Sequence, residues 1–152
     1  MKLFSAKKSK VSPITIGWWE YLQLPALSSS KIKAKIDTGA KTSALHAEDI
    51  KVFIDKGVRK VRYTLYPNQK DRKNKKTIVS KLVEVRRIKS SIGTTTLRPV
   101  IETLVDIGGQ KFIIELTLVN RDLLGFRMLL GRQALKKRFL INPSRKNILR
   151  KR

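Results

Sequence analysis

Apolar residues recur at every second position over much of this 152-residue chain. That period is typical of β-strands with one packed face and one solvated face. The segment 31–36 alternates Lys with Ile or Ala, and 61–66 repeats the alternation with larger side chains. Two further segments, 78–85 and 100–105, are rich in the β-branched residues that favour strands. The pattern therefore predicts a mainly β fold.

The connections between these segments refine the prediction. Gly108 and Gly109 join 100–105 to another alternating segment, 111–119, and a two-residue Gly-Gly connection predicts a β-hairpin. Helical spacing is confined to 132–138, with one further turn expected around 43–49. We therefore expect a closed or nearly closed β-barrel with one short C-terminal helix, because closure removes exposed sheet edges.

One carboxylate stands where the strand 31–36 ends, in the turn Asp37-Thr38-Gly39. Because glycine has no Cβ, Gly39 lets the backbone fold over Asp37 and lets a second chain or a substrate come close. The hydroxyl of Thr38 is suited to anchoring the loop. Asp and Gly are also common residues of ordinary turns, so the tripeptide alone does not decide between an active-site loop and a plain turn.

A second motif near the other end of the chain changes that balance. Leu129-Leu130-Gly131-Arg132 alone is typical of a core strand, a turn and a helix start. Together with Asp37-Thr38-Gly39-Ala40, it resembles the two hallmark segments of retropepsin-like peptidases, in the same order. Three more segments share the resemblance: Gly17-Trp18-Trp19-Glu20 with Leu24-Pro25, Thr42–Ala47, and Ser90-Ser91-Ile92-Gly93.

Over residues 14–149 the chain is similar to a small bacterial family usually labelled ATP-dependent zinc protease. The resemblance implies a closed retropepsin-like β-barrel. It also implies that the protein is associated with an ATP-grasp glutamate ligase of the kind that modifies ribosomal proteins. It also implies that Asp37 is catalytic, that Thr38 and Gly39 shape its loop, and that 86–98 is a hairpin flap over the cleft. A plain surface hairpin fits 86–98 equally well. The other expected site residues are Ala40, Ser90, Ser91 and Gly93 for substrate binding or the flap, and Leu130, Gly131 and Arg132 as a structural motif near the site.

The chemistry of such peptidases constrains assembly. Two carboxylates must share a proton, one acting as general base to a water and the other polarising the scissile carbonyl. This chain has one Asp-Thr-Gly, and the next candidate, Asp106-Ile107-Gly108, lacks the hydroxyl residue and falls in the predicted hairpin turn. We therefore expect a homodimer in which Asp37 of each copy meets on a two-fold axis.

The zinc and the ATP in the family label find no support in the residues. The chain has one His and no Cys, whereas zinc sites use several His or Cys ligands. His46, with Glu48 and Asp49 beside it, is a weak metal candidate, and a packing or hydrogen-bonding role suits it better. No Gly-rich phosphate-binding loop with its Lys is present, so ATP dependence would have to come from a partner such as a ligase. We expect no cofactor.

The charge is strongly unbalanced, with 35 Lys and Arg against 11 Asp and Glu. Clusters at 70–76, 136–138 and 145–152 favour an acidic partner, although each also fits a solvated surface. RNA or ribosomes, anionic lipid and proteins with glutamate-rich tails all qualify, but the few aromatic residues are not interleaved as a stacking platform requires. A non-enzymatic basic binding module is therefore the alternative to a peptidase. The two hypotheses merge if the substrate is itself acidic or carries added glutamates.

The ends of the chain complete the expected organisation. We predict a basic, disordered segment at 1–13, one domain at 14–149 and a basic tail at 150–152. The N-terminus lacks the apolar core of a signal peptide, and no segment approaches the roughly 20 apolar residues of a membrane span. We expect a cytoplasmic protein. Such basic ends disfavour the pairing of chain ends across the dimer interface.

Overall fold

The computed structural model describes residues 12–68, 71–90 and 92–151. Most of the segment predicted as a disordered N-terminus therefore lies outside the described residues, as do Lys70 and Ser91. Within them the chain is mainly β, as predicted, with one α-helix, α1 (Arg132–Leu135), and one 3-10 helix (Ile148–Lys151). The strands are β1 (Ile14–Ile16), β2 (Trp19–Leu22), β3 (Ile32–Ile36), β4 (Ser43–His46), β5 (Glu48–Asp55), β6 (Val58–Leu65), β7 (Lys76–Lys81), β8 (Glu84–Lys89), β9 (Thr95–Ile107), β10 (Gln110–Val119), β11 (Met128–Leu130) and β12 (Phe139–Ile141).

The strands form three sheets. The largest has the order β2-β3-β11-β4-β10-β9-β8, while β5-β6-β7 form a second sheet and β1 pairs with β12 in a third. In β3 the three apolar residues are buried and the two lysines between them are half-buried, so the alternation at 31–36 was interpreted correctly. Buried side chains from all three sheets meet in one hydrophobic cluster.

The prediction of a closed barrel is wrong. Among the described residues, the seven-stranded sheet ends at β2 on one side and at β8 on the other, and no ladder joins the two ends. A single bridge, in which Gln23 and Asp106 exchange hydrogen bonds of 2.9 Å, brings the chain after β2 to β9. The ladder goes no further because the chain turns at Pro25, which has no backbone N–H. The sheet therefore curls without closing.

The Gly-Gly hairpin is confirmed. Gly108 and Gly109, with φ of 60° and 86°, connect β9 to β10, and two positive φ angles are typical of the tight turns that match strand twist. The prediction of one strand over 78–85 is wrong, because the chain changes sheets within it. Leu82 N donates to Arg59 O in the three-stranded sheet at 3.0 Å, and Val83 N donates to Val100 O in the larger sheet at 2.8 Å.

Two further expectations need correction. The helix predicted over 132–138 is only one turn, because Lys136 is extended at ψ 129° and Lys137 has a φ of 69°. The turn expected around 43–49 is instead β4 and the start of β5. All four residues of β4 are buried, since β4 lies between β11 and β10. None of the described helices is long and apolar enough to cross a membrane.

Candidate active site

Asp37 follows β3 directly and is fixed by the neighbouring strand. Its backbone N–H donates to the carbonyl of Leu130 at 2.9 Å. β3 and β11 run parallel with Ile36 opposite Leu130, so the two hallmark segments leave the sheet at the same edge. Asp37 is half-buried, whereas Thr38 and Gly39 are exposed. The carboxylate thus stands at the end of a buried strand with one side open.

The loop holds one oxygen of this carboxylate. Gly39 N donates to Asp37 Oδ1 at 3.0 Å, and Ala40 N donates to the Asp37 carbonyl at 3.2 Å. A Cβ on Gly39 would lie 3.2 Å from the same Oδ1, and its φ is not left-handed. Glycine therefore leaves room here for the close approach of the carboxylate, and an unusual backbone conformation is not involved. Asp37 Oδ2 accepts no hydrogen bond from the described residues.

The structure brings the two hallmark segments into direct contact. Arg132 N donates to the Ala40 carbonyl at 2.8 Å, and Arg132 Nη1 donates to the Thr38 carbonyl at 2.9 Å. A Cβ on Gly131 would lie 2.8 Å from the backbone C of Thr42, so only glycine fits there. The Thr38 hydroxyl makes no hydrogen bond within the described residues. The loop is therefore held through the Thr38 carbonyl, not through its hydroxyl as expected.

Two buried hydroxyl residues that sequence reasoning missed support this arrangement. Ser43 Oγ accepts a hydrogen bond from Gly131 N at 3.0 Å. Thr117 Oγ1 donates to the Ser43 carbonyl at 3.2 Å and so ties β10 to β4 beside the site. Their signal in the sequence is a hydroxyl within an otherwise apolar strand segment, which is weak because such residues also occur at solvated positions.

The segment 86–98 does form a hairpin, from β8 and the first residues of β9. Lys89 stands opposite Thr95, and Ser90 N donates to the Thr94 carbonyl at 2.8 Å. Gly93 has a φ of 87°, which explains the glycine at the tip. Among the described residues, no hydrogen bond or ion pair joins this tip to the Asp37 loop. The covering role of Ser90 and Gly93 stays a prediction, and Ser91 lies outside the described residues.

His46 lies at the far end of β4 and is fully engaged. Its Nδ1 is 3.0 Å from the Arg121 carbonyl, and its Nε2 is 3.0 Å from Glu48 Oε2. Arg72 binds the same carboxylate through both terminal nitrogens, at 3.1 and 3.2 Å. Hydrogen bonds from Arg72 and then His46 lower the pKa of Glu48 from 4.5 to about 2. This cluster fixes the loop after β6 against β5.

The donor set does not fit a zinc site. Both ring nitrogens of His46 already have partners, and the described residues hold no group of three or more His, Cys, Asp or Glu able to bind a metal ion. Asp106, the other Asp-x-Gly candidate, lies in β9 and not in the turn, and its Oδ1 accepts a hydrogen bond from Gly109 N at 3.2 Å. Asp37 differs from Asp106 because its loop hydrogen-bonds to the Leu130–Arg132 segment.

The loop and its contact with the Leu130–Arg132 segment agree with the comparison to known families. The model of a family described as retropepsin-like aspartic endopeptidase RimB matches residues 15–152. This chain belongs to that family. The resemblance to retropepsin-like peptidases is therefore confirmed.

Curated relatives and a solved structure extend the comparison. Proteins named "Probable alpha-L-glutamate ligase" from Shewanella pealeana and Desulfotalea psychrophila are 44% and 40% identical to this chain over 129 residues. These matches cover 85% of this chain and 28% of each relative, so the chain spans little more than a quarter of their length. A Legionella pneumophila protein of unknown function has a similar fold, with a TM-score of 0.74, 25% identity and coverage of 91% of this chain and 99% of that one.

Proposed function

We propose that this chain is an aspartic peptidase that works as a homodimer. The observation that carries the proposal is the Asp37 loop, in which the Gly39 amide holds Oδ1 of the carboxylate and the Thr38 and Ala40 carbonyls accept hydrogen bonds from Arg132. In a pair of such carboxylates sharing one proton, the ionised one takes a proton from water. The protonated one polarises the carbonyl of the scissile peptide bond.

The dimer follows from the count of such loops. Two carboxylates close together cannot both ionise, which is what gives the pair its acid and base members. The chain has one Asp-Thr-Gly loop, so a second Asp37 from another copy is the partner that the mechanism needs. We also propose that the Thr38 hydroxyl, which makes no hydrogen bond within the described residues, bonds across this interface.

We further propose that the substrate is an acidic protein segment or one that carries added glutamates. A formal net charge of +24 attracts acidic chains over long range. Relatives that bear the name of glutamate ligases support a substrate of this kind and a ligase as a partner. The ligase is also the natural source of any ATP dependence, since the chain has no Walker-type loop of its own.

The test is peptide hydrolysis by the wild-type chain and by Asp37→Asn. A fluorogenic peptide with consecutive glutamates should be cleaved by the wild type and not by the variant, and a glutamine peptide of the same length should be cleaved more slowly. Asp106→Asn is the matched control and should retain activity. Full activity of Asp37→Asn would exclude the dyad, and equal cleavage of the two peptides would exclude the preference for acidic substrates.

A non-enzymatic binding module is the second candidate, favoured by a charge excess far beyond what peptide-bond hydrolysis needs. Its partner would be a ligase, a ribosome or other RNA, or an acidic tail. This function predicts that Asp37→Asn binds the partner as the wild type does and that no peptide is cleaved by either protein. It also predicts a mass in solution that stays monomeric across protein concentration, measured by light scattering at moderate salt.

A further inference from the structure

Arg98 is a buried cation without a counter-charge. The residue lies in β9 with 6% of its surface exposed, and its Nε donates to Thr96 Oγ1 at 3.1 Å. Among the described residues it forms no ion pair with a carboxylate. Arginine stays charged at any physiological pH, so its burial without a partner costs free energy. Such a position calls for a ligand that supplies the missing negative charge.

A second arginine lies beside it. β9 and β10 pair with Val100 opposite Thr117, so Arg98 and the residues that follow β10 lie at the same end of this ladder. Burial, and then the charge of Arg121, lower the pKa of Arg98 below its ordinary value. Arg121 is exposed, and it also forms no ion pair with a carboxylate among the described residues. Two like charges side by side favour an anion between them.

Three carboxylates on the neighbouring elements are already used, and the exposed Glu102 in β9 and Asp122 beside Arg121 form no ion pair among the described residues. Glu48 binds His46 and Arg72. Glu115 binds Arg86 Nη1 at 2.9 Å, and Glu84 binds the Nε of the same arginine at 3.1 Å. The positive charge of the two arginines is therefore available to an external carboxylate.

The Arg98 guanidinium is mostly enclosed, with 6% of the residue's surface exposed. Within the described residues, Thr103 Oγ1 and Asn147 Oδ1 are the buried polar side-chain atoms that lack a hydrogen-bond partner. The terminal nitrogens of Arg98 form no hydrogen bond with the described residues, and the guanidinium keeps some contact with solvent. The residue is thus mostly enclosed, with the unpaired end of its guanidinium not sealed from solvent.

Arg98 also lies where the hairpin 86–98 enters the sheet. β9 pairs with β8 from Thr95 to Val100 and with β10 from Val100 onward, so Arg98 is on the hairpin side of that junction. The planar guanidinium offers a carboxylate two parallel hydrogen bonds, which discriminate it from an amide.

We propose that Arg98 and Arg121 together bind a carboxylate side chain of an acidic peptide substrate. This assignment rests on the proposed function, because it takes the substrate to be an acidic peptide. Binding of such a peptide is nevertheless measurable without cleavage. Arg98 supplies the enclosed, directional contact. Arg121 supplies attraction from the surface.

The experiment measures binding in the Asp37→Asn protein, which cannot turn over its ligand. A labelled peptide of consecutive glutamates and a glutamine peptide of equal length are titrated by fluorescence anisotropy at moderate salt. Introducing Arg98→Met into this protein should weaken binding of the glutamate peptide about tenfold and leave the affinity for the glutamine peptide unchanged. Arg121→Gln should weaken binding of the glutamate peptide by a smaller factor. Arg59→Gln, which removes one exposed charge from the three-stranded sheet, is the matched control and should have little effect.

Thermal unfolding of the same variants separates binding from structure. Replacement of an unpaired buried charge by an apolar side chain of similar length should leave the melting temperature unchanged or raise it. Weaker binding together with unchanged or higher stability supports the site. If Arg98→Met lowers stability, or binds the glutamate peptide no worse than Arg59→Gln, the proposal is overturned. Arg121→Gln, at an exposed position, gives a second test that does not depend on the core.

The outcome is independent of the peptidase proposal. If the wild type cleaves neither peptide while binding of the glutamate peptide still depends on Arg98, the chain is a binding module with this site. If the wild type cleaves and Arg98→Met leaves both the affinity and the KM for the glutamate peptide unchanged, the carboxylate site fails and the peptidase stands.

Discussion

At the scale of single residues, two glycines of the site make room for different contacts. Gly39 makes room for the oxygen of Asp37, which it also binds, and a Cβ there would meet that oxygen alone at 3.2 Å. Gly131 makes room for backbone atoms of Thr42 and Ala40, which cannot move without shifting the whole loop. Gly39 therefore makes room for the carboxylate, and Gly131 makes room for the loop that carries it.

We accordingly expect Gly131→Ala to lower stability and Gly39→Ala to affect mainly the rate of peptide cleavage. Overpacking against backbone should cost Gly131→Ala about 1–3 kcal/mol of unfolding free energy. Gly39→Ala should change stability by less than about 0.5 kcal/mol, since the position is exposed, yet it should slow peptide cleavage by displacing the carboxylate. Urea denaturation and cleavage rates of both variants check this. Equal stability losses would contradict the distinction.

At the scale of elements, a buried carboxylate joins the two ends of the described chain. Glu20 in β2 is fully buried, and its oxygens accept hydrogen bonds from the backbone N–H groups of Gly17, Ile148 and Leu149 at 2.7 to 3.0 Å. The 3-10 helix is thereby fixed to the strand that lies beside β3. The C-terminal segment thus stabilises the edge strand β2, which pairs with β3, the strand that leads to Asp37.

Glu20→Gln should therefore be strongly destabilising. Its amide nitrogen would face backbone donors, so buried N–H groups would lose their acceptor at a cost of about 3 kcal/mol. Glu102→Gln, at an exposed position on β9, is the matched control for the loss of one negative charge. Chemical denaturation compares the two, and similar midpoints would contradict the role of Glu20.

The cluster of Glu48, His46 and Arg72 predicts a pH dependence. The folded pKa of Glu48 is about 2, below its ordinary value of 4.5, so its contribution to stability is complete above about 4.5. That contribution is lost as the pH falls from about 4.5 toward 2, because the carboxyl takes up a proton and releases Arg72. Melting temperatures of Glu48→Gln should thus fall less steeply than those of the wild type over this range. Parallel curves would contradict the assignment.

Part of the fold and site was predictable because its signals are local. The alternation at 31–36, the Gly-Gly turn and the two hallmark segments each act over a few residues, and each has its predicted structure. The break at Leu82 and Val83 was not predictable, since changing sheets depends on partners distant in sequence, namely Arg59 and Val100. The open sheet depends on pairing after β2 in the same way. The Arg98–Arg121 pair likewise becomes visible only once β9 and β10 are aligned.

At the scale of the whole molecule, the account rests on one Asp-Thr-Gly loop for each chain. A shared site between two copies makes activity depend on the composition of the dimer, and a net charge of +24 opposes the association of copies at low salt. Assembly should therefore be studied at moderate salt. Under those conditions, cleavage kinetics distinguish a site that needs Asp37 from two chains from a site that needs Asp37 from one chain.

The most direct measurement is cleavage by mixtures of wild-type and Asp37→Asn chains, exchanged to equilibrium at constant total concentration. If each site needs Asp37 from both copies, mixed dimers are inactive and the rate falls as the square of the wild-type fraction. A rate that falls in direct proportion to that fraction would show that one chain suffices, and it would contradict the homodimeric peptidase.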